Sequence, residues 1–276
     1  MLASIPLFHN LYNVELLGYS ASVLIGLCLG LIGGGGSILT VPILVYLFGI
    51  DPLLAGSYSL FVVGITSLIG SFSHYQKGNV DFRITLIFGL PSLIAVFVMR
   101  KWVMPAIPQH LFHMGAFELS KPVLLMLTFG ILMLTASFSM IKGKHEQFCT
   151  NKKEQGYLKL ILQSLLVGLI TGFVGVGGGF LIIPSLVFMA GLSMKKAVGT
   201  SLSIITISSL FGFLGDLTQQ SGLNYQFLSI FSAFAIGGII AGTYLSRYIS
   251  NDKLKPAFGW FVLGMGAFVL LNTIKK

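Results

Sequence analysis

GLIGGGGSILTVP spans residues 30–42, and a matching stretch, GFVGVGGGFLIIP, spans residues 172–184. The match continues beyond these stretches, because residues 30–70 align with residues 172–212 at one constant offset and without gaps. Glycine, proline and serine recur at matched places: Gly33 with Gly175, Pro42 with Pro184, Ser59 with Ser201 and Ser67 with Ser209. Because unrelated apolar helices would not keep these three residue types together, we interpret the chain as an internal duplication.

The composition is that of a membrane protein. Of 276 residues, 55% are hydrophobic and 9% are charged, whereas soluble domains carry about 25% charged residues. The mean hydropathy is +0.91. The apolar runs approach the roughly 20 residues that cross a membrane as a helix, and they lack the alternation of a membrane β-barrel. We therefore predict an all-α polytopic membrane protein.

The hydrophobic pattern predicts ten apolar segments in two groups of five. The first group covers residues 14–33, 37–50, 56–72, 84–99 and 122–141, and the second covers 159–175, 179–192, 197–214, 227–246 and 256–274. The charged run between the groups is too polar for a bilayer. The predicted organisation is an N-terminal transmembrane repeat over 1–141, a cytoplasmic connector over 142–158 and a C-terminal transmembrane repeat over 159–276.

Lysine and arginine are concentrated in alternate loops, so we interpret the net charge of +9 as a topology signal and not as a nucleic-acid-binding surface. The richer side holds Lys77, Arg83, Lys142, Lys144, Lys152, Lys153, Lys159, Lys195, Lys196, Arg247, Lys253 and Lys255, and the other side holds Arg100, Lys101, Lys121, Lys275 and Lys276. The positive-inside rule predicts that the richer side is cytoplasmic. Both termini are then expected to face outward.

The number of segments between the two copies fixes their relative orientation. Five segments, an odd number, separate them, so the second copy must be inserted upside down relative to the first. If each glycine-rich pair formed a re-entrant hairpin instead of two full spans, three crossings per half would remain and the inversion would hold. Inverted repeats with broken helices are typical of transporters whose substrate site lies near the membrane midplane.

The glycine-rich stretches predict an anion site. Four consecutive glycines at 33–36 would destabilise a continuous helix by about 1 kcal/mol each relative to alanine, so we expect the helix to break. A new helix begins with unpaired N–H groups and the positive end of its dipole, which together attract anions without a buried arginine or lysine. Ser37, with Pro42 in its second turn, is expected to open this helix in the first copy, and Gly179 and Pro184 are the counterparts. Alternatively, the glycines serve only close helix packing.

The predicted substrate-binding residues include hydroxyls as well as glycines. The set is Gly33, Gly34, Gly35, Gly36, Ser37, Ser59, Gly175, Gly177, Gly178, Gly179, Thr200 and Ser201. Ser59, Thr200 and Ser201 are expected at the heads of the third segments, where their hydroxyls either donate to an oxyanion or cap the helix. His74 and Asp216 occupy equivalent repeat positions near the ends of those segments. They fit either a gate or proton relay, or ordinary interface positions.

Residues 105–117 form an outward insertion that the second half lacks. His110 and His113 are three residues apart, so a helix there would place both on one face. A metal site needs further ligands, so we predict an interfacial helix. No metal and no cofactor are expected.

Other glycines bear on the expected partners. Glycine-rich faces at Gly237, Gly238 and Gly242, and at Gly264 and Gly266, fit either packing within the monomer or a homodimer. The remaining expected partners are the lipid bilayer and a small anionic substrate.

At its glycine motifs the sequence resembles the sulfite exporter TauE/SafE family of bacterial membrane proteins. The resemblance rests on residues 33–42, on residues 175–184 and on the segment Gly199-Thr200-Ser201-Leu202, and the two-half layout agrees across nearly the whole chain. It implies a multi-pass exporter of sulfite, sulfoacetate or a related organosulfonate in the bacterial cytoplasmic membrane. The inverted halves with broken helices favour alternating access as the mechanism. The two copies differ where Gly34 aligns with Val176 and where Ser37 aligns with Gly179. These differences leave the substrate preference open.

Two alternatives to a carrier stay open at this point. A passive anion channel would use the same helix termini. An intramembrane enzyme would need a nucleophile with a base, or a metal-ligand cluster, inside the spans, and the sequence offers neither. We therefore expect that the protein is not an enzyme.

Overall fold

The computed structural model describes residues 5–114, 117–141, 157–217, 222–246, 248 and 251–274. The first part contains α1 (Ile5–Ile32), a 3-10 segment (Gly34–Leu39), α2 (Thr40–Tyr46), α3 (Pro52–Gln76) and α4 (Phe82–Val98). A π-helical segment (Met99–Val103), α5 (Met104–Ala106), β1 (His110–Met114), β2 (Phe117–Ser120) and α6 (Lys121–Ile141) follow. The last part contains α7 (Tyr157–Val174), α8 (Gly179–Phe188), α9 (Met194–Leu217), α10 (Tyr225–Leu245) and α11 (Asn251–Ile274). The predicted connector falls mostly on 142–156, outside the described residues.

Six of the described helices are long and apolar enough to cross a membrane. They cover Pro52–Gln76, Phe82–Ala106, Lys121–Phe138, Tyr157–Val174, Met194–Leu217 and Tyr225–Leu245. Shorter apolar helices cover Leu17–Ile32, Gly34–Tyr46 and Gly259–Ile274. Large apolar side chains such as Leu86, Leu90 and Ile94 on α4 are exposed, as expected of a surface that faces lipid. The protein is therefore a helical membrane protein.

Polar residues set where several helices begin. The Asp51 carboxylate accepts a hydrogen bond from Leu53 N at 2.8 Å, and Pro52 occupies the first position of α3. Asp81 caps α4 in the same way through Ile84 N at 3.1 Å. Capping carboxylates and an initial proline both favour a helix start, so α3 begins at residue 52, ahead of the predicted start at residue 56.

The helices pack in pairs. α1 packs along α10, and α4 packs along α7. The central pair is α3 and α9, whose spans are the most buried of the six. α6 packs along α11. The serine-rich and glycine-rich spans α3 and α9 thus lie at the centre, enclosed by the more apolar helices.

The insertion between α5 and α6 is a β-hairpin, so the predicted interfacial helix is wrong. β1 pairs antiparallel with β2, with His110 opposite Ser120 and His113 opposite Glu118. Ile107 precedes Pro108 and is extended, with φ −74° and ψ 122°, because the proline ring disfavours helical geometry in the residue before it. The helical spacing argument for the two histidines therefore fails.

Candidate functional site

The first glycine stretch interrupts the helical chain at Gly33. α1 ends at Ile32, and Gly33 has φ 78° and ψ −145°, a conformation that glycine adopts without a Cβ clash. The chain then turns into the 3-10 segment, which contains Gly34, Gly35, Gly36 and Ser37, all of them buried. The Ser37 hydroxyl donates to Gly34 O at 2.7 Å. The new helical segment thus begins at Gly34, ahead of Ser37, and the prediction that Ser37 opens it is wrong.

The second stretch makes a different turn. α7 ends at Val174, and Gly175, Gly177 and Gly178 have φ values of 79°, 71° and 70°. Gly178 is the N-cap of α8, which begins at Gly179 and contains Pro184. Gly33 and Gly175 share a positive φ, whereas Gly35 and Gly36 lack one. The two copies therefore reach their new helices by different backbone paths.

The two glycine stretches meet inside the bundle. A Cβ added to Gly34 would lie 2.3 Å from Gly179 Cα, and one added to Gly179 would lie 2.1 Å from Gly34 Cα. A Cβ on Gly177 would lie 2.8 Å from Ser209 Oγ of α9 and 2.8 Å from Val63 Cγ1 of α3. The starts of two helices are thus brought together against the central helix pair.

The predicted hydroxyls lie roughly two turns inside the central helices, so the capping alternative is wrong for them. Thr200 Oγ1 accepts a hydrogen bond from Asp81 N at 3.0 Å. The Ser201 hydroxyl donates to Val198 O in its own helix at 2.8 Å. Ser59 Oγ is buried and has no hydrogen-bond partner in the described part of the chain. Of the three, Ser59 is the one whose hydroxyl has full hydrogen-bonding capacity left for a ligand.

Asp216 belongs to a buried charged cluster. Its Oδ2 accepts hydrogen bonds from Arg100 Nη1 at 3.1 Å and from Ser57 Oγ at 2.5 Å. Arg100 is 2% exposed and Asp216 is 4% exposed. His74, at the equivalent position in the first half, is also buried, and neither ring nitrogen has a hydrogen-bond partner among the described residues.

Arg100 is the residue that sequence reasoning missed. The charge pattern predicts an outward loop at Arg100, but the helix of α4 continues through the π-helical segment, and this extension carries Arg100 into the bundle. The bundle thus contains a buried arginine, although the anion site predicted at the glycine stretches does not require one. Asp216 could have indicated it, because a buried carboxylate in an apolar span requires a cationic or polar partner.

Comparison with known proteins agrees with the helical membrane architecture. The family model described as sulfite exporter TauE/SafE matches residues 19–269. A probable membrane transporter protein of Xylella fastidiosa strain Temecula1 is 31% identical, over 91% of this chain and 92% of the relative. A probable membrane transporter protein of Methanocaldococcus jannaschii is 27% identical, over 90% and 94% of the two chains, and another of Bacillus subtilis is 28% identical, over 83% and 87%. No solved structure matches. The chain belongs to the sulfite exporter TauE/SafE family of membrane transporters.

Proposed function

We propose that this protein exports a small sulfur-containing oxyanion, such as sulfite or a short organosulfonate, across the cytoplasmic membrane by alternating access. The observation that carries the proposal is the contact between Gly34 and Gly179, which brings two helix starts together in the buried centre. The first N–H groups of each helix have no partner within that helix, and the positive dipole ends reinforce their attraction for an anion. Backbone amides are then the main ligands.

Buried hydroxyls support the same location. Ser59, Ser67 and Ser209 each have a buried side-chain oxygen without a hydrogen-bond partner in the described chain. Ser209 Oγ lies beside Gly177, as the 2.8 Å approach of an added Cβ shows. Buried polar atoms are normally satisfied, so an unpartnered Ser209 hydroxyl beside a glycine turn fits a site that is completed by water or by a ligand. In the proposed site the Ser209 hydroxyl donates to the oxyanion.

The helix contacts support inverted repeats. The constant offset between the glycine stretches also relates α1 to α7 and α3 to α9, and an offset longer by a single position relates Asp81 to Asn224, the cap residues of α4 and α10. Exchanging the halves converts the α1–α10 contact into the α7–α4 contact and leaves the α3–α9 and α6–α11 contacts unchanged. We propose two inverted halves, 1–141 and 159–276, with a cytoplasmic connector and both termini outside.

Hydrogen bonds between the halves follow the same relation. Asp81 N donates to Thr200 Oγ1 at 3.0 Å, and Asn224 N donates to Tyr58 Oη at 2.8 Å. Thr200 is the repeat counterpart of Tyr58, as Asn224 is of Asp81. Each half thus holds the start of the other half's outer helix through a hydroxyl of its central helix. Such reciprocal links suit two bodies that rock against each other around a central site.

Counterflow into proteoliposomes tests this function. Vesicles that contain the purified protein are loaded with unlabelled sulfite, and uptake of external labelled sulfite is compared with uptake into empty vesicles. A carrier returns to the outside faster with substrate bound, so loading should stimulate uptake. Uptake without stimulation would indicate a passive anion channel, and no uptake of sulfite, thiosulfate or sulfoacetate would contradict the proposal.

A further inference from the structure

A cavity of about 560 Å³ reaches the charged cluster at Asp216. Its wall comes from the start of α3, the end of α9, the π-helical segment, α5 with the segment after it, and the start of α6. The charged residues in this wall are Asp51, Arg100, Lys121 and Asp216. Asp51 is exposed and already caps α3, whereas the other three are buried. The buried end of the cavity therefore holds two cations and one carboxylate.

Arg100 has hydrogen-bond donors that no described residue uses. Its Nη1 donates to Asp216, but Nε and Nη2 have no hydrogen-bond partner in the described part of the chain. A buried guanidinium whose N–H donors lack acceptors destabilises the fold unless water or a ligand accepts from them. The planar N–H groups of a guanidinium match oxyanions in geometry and charge. The Lys121 ammonium, in the same cavity wall, donates to Met104 O.

The free side of this guanidinium faces the second glycine turn. A Cβ added to Gly175 would lie 1.9 Å from Arg100 Nη2, and one added to Gly56 would lie 2.9 Å from the same atom. Gly175 opens the turn that leads to Gly179 and to the contact with Gly34. Arg100 is therefore in contact with the proposed central site on one side and with the cavity on the other.

The positions that the repeat relates to this cluster lack its charges. Thr243 stands at the position equivalent to Arg100, His74 at that of Asp216 and Gly199 at that of Ser57. A Cβ on Gly199 would lie 3.0 Å from His74 Cβ, so the two positions still touch although the charges are absent. On the glycine turn, Val198 replaces Gly56 and packs against Gly33. An arginine that served only to hold two related halves together would be expected at both ends.

We propose that Arg100 is an anion-binding residue on the transport path, where an oxyanion that leaves the Gly175 turn for the outside replaces Asp216 as partner of the guanidinium. The inference rests on the proposed function, since it names a second binding site for the same substrate. Asp216 keeps the arginine neutralised while no anion is bound, and Ser57 holds the carboxylate when the arginine turns away. The cluster at one end only makes the two access routes unequal, which suits a transporter with a preferred direction.

Thermal stabilisation of the purified full chain tests this role, with sulfite, thiosulfate and sulfoacetate as separate probes at constant ionic strength. A ligand that binds the folded state raises its melting temperature with concentration. Asp216→Asn removes the competing carboxylate and should lower the half-maximal anion concentration at least about threefold. The double variant Arg100→Gln with Asp216→Asn should raise that concentration at least about tenfold, as expected for loss of a charge-assisted hydrogen bond.

Substitution of Arg100 alone would leave the buried Asp216 carboxylate unpaired and could impair folding. The double variant removes both charges, so the test stays valid. Lys101→Gln is the matched control, because Lys101 is the neighbouring cation, does not line the cavity and contacts the rings of Phe97 and Trp102. It should leave the half-maximal concentration unchanged. If the double variant binds the anions like the wild type, the role of Arg100 is overturned while the proposed function stands. If none of the three anions stabilises the wild type, both fail.

Discussion

Gly34 and Gly179, one from each glycine stretch, lie so close that a methyl group on either would overlap the backbone of the other. An added Cβ at Gly34 would lie 2.3 Å from Gly179 Cα, and the reverse distance is 2.1 Å. Neither residue has a positive φ, so space and not backbone conformation requires glycine at both positions. The contact joins the starts of two helices at the proposed substrate site.

Alanine at either position should therefore separate the two helix starts. We expect Gly34→Ala and Gly179→Ala each to lower stability by about 1–3 kcal/mol, the usual effect of overpacking, and to abolish transport. The melting temperature in detergent, followed by tryptophan fluorescence, and sulfite counterflow measure the two effects. Gly264→Ala is the control, because an added Cβ there meets no described atom within 4 Å. Wild-type stability in both central variants would show that the contact is absent.

The hydroxyls that link the halves give a second prediction. Thr200→Val keeps the shape of the side chain but leaves Asp81 N without its acceptor, and Tyr58→Phe does the same to Asn224 N. Each should lower stability by about 1 kcal/mol, the typical contribution of one hydrogen bond. Thr200→Ser retains the acceptor and should recover most of the loss in thermal unfolding. Equal melting temperatures for the valine and serine variants would contradict the link.

The hydrophobic pattern predicted the membrane helices well because span length and apolar character are local properties of the sequence. All ten segments are helical over most of their length, although α3 and α9 begin before the predicted residues 56 and 197. The earlier start of α3 comes from Asp51 and Pro52, polar and turn-forming residues that a hydrophobicity scale places outside the span. The cap at Asp51 thus moved the start of α3 without changing the number of apolar helices.

The charged cluster could not be predicted in the same way because it depends on contacts distant in sequence. Arg100 and Asp216 are 116 residues apart, and neither segment alone shows that the two meet. Arg100 also follows an apolar run beside Lys101, a pattern typical of a loop at a membrane boundary. The pairing emerges only once α4 and α9 pack against each other.

Neighbouring serines on α9 separate a binding role from a structural one. Ser209 Oγ has no partner in the described chain and lies beside Gly177, whereas Ser208 Oγ donates to Ile204 O of its own helix at 2.9 Å. Ser209→Ala should leave the melting temperature without ligand unchanged and should weaken stabilisation by sulfite several-fold, by about the free energy of one hydrogen bond.

Ser208→Ala should leave the response to sulfite unchanged, because its hydroxyl is already engaged within the helix. The half-maximal sulfite concentration in thermal unfolding provides the comparison for both variants. An unchanged sulfite response in Ser209→Ala would remove this hydroxyl from the proposed site.

Two adjacent glycines on α10 test the packing of α1 against α10. A Cβ on Gly238 would lie 2.1 Å from Val23 O of α1, while one on Gly237 would meet no described atom within 4 Å. Gly238→Ala should therefore destabilise the protein by about 1–3 kcal/mol through the forced separation of the two helices. Gly237→Ala changes the helix propensity as Gly238→Ala does, and this effect alone favours alanine by about 1 kcal/mol. Gly237→Ala should therefore raise the melting temperature or leave it unchanged. If a second copy of the chain covered Gly237, the Gly237→Ala variant would instead change the oligomeric state measured by light scattering. Melting temperature and light scattering together therefore distinguish packing within the chain from packing between chains.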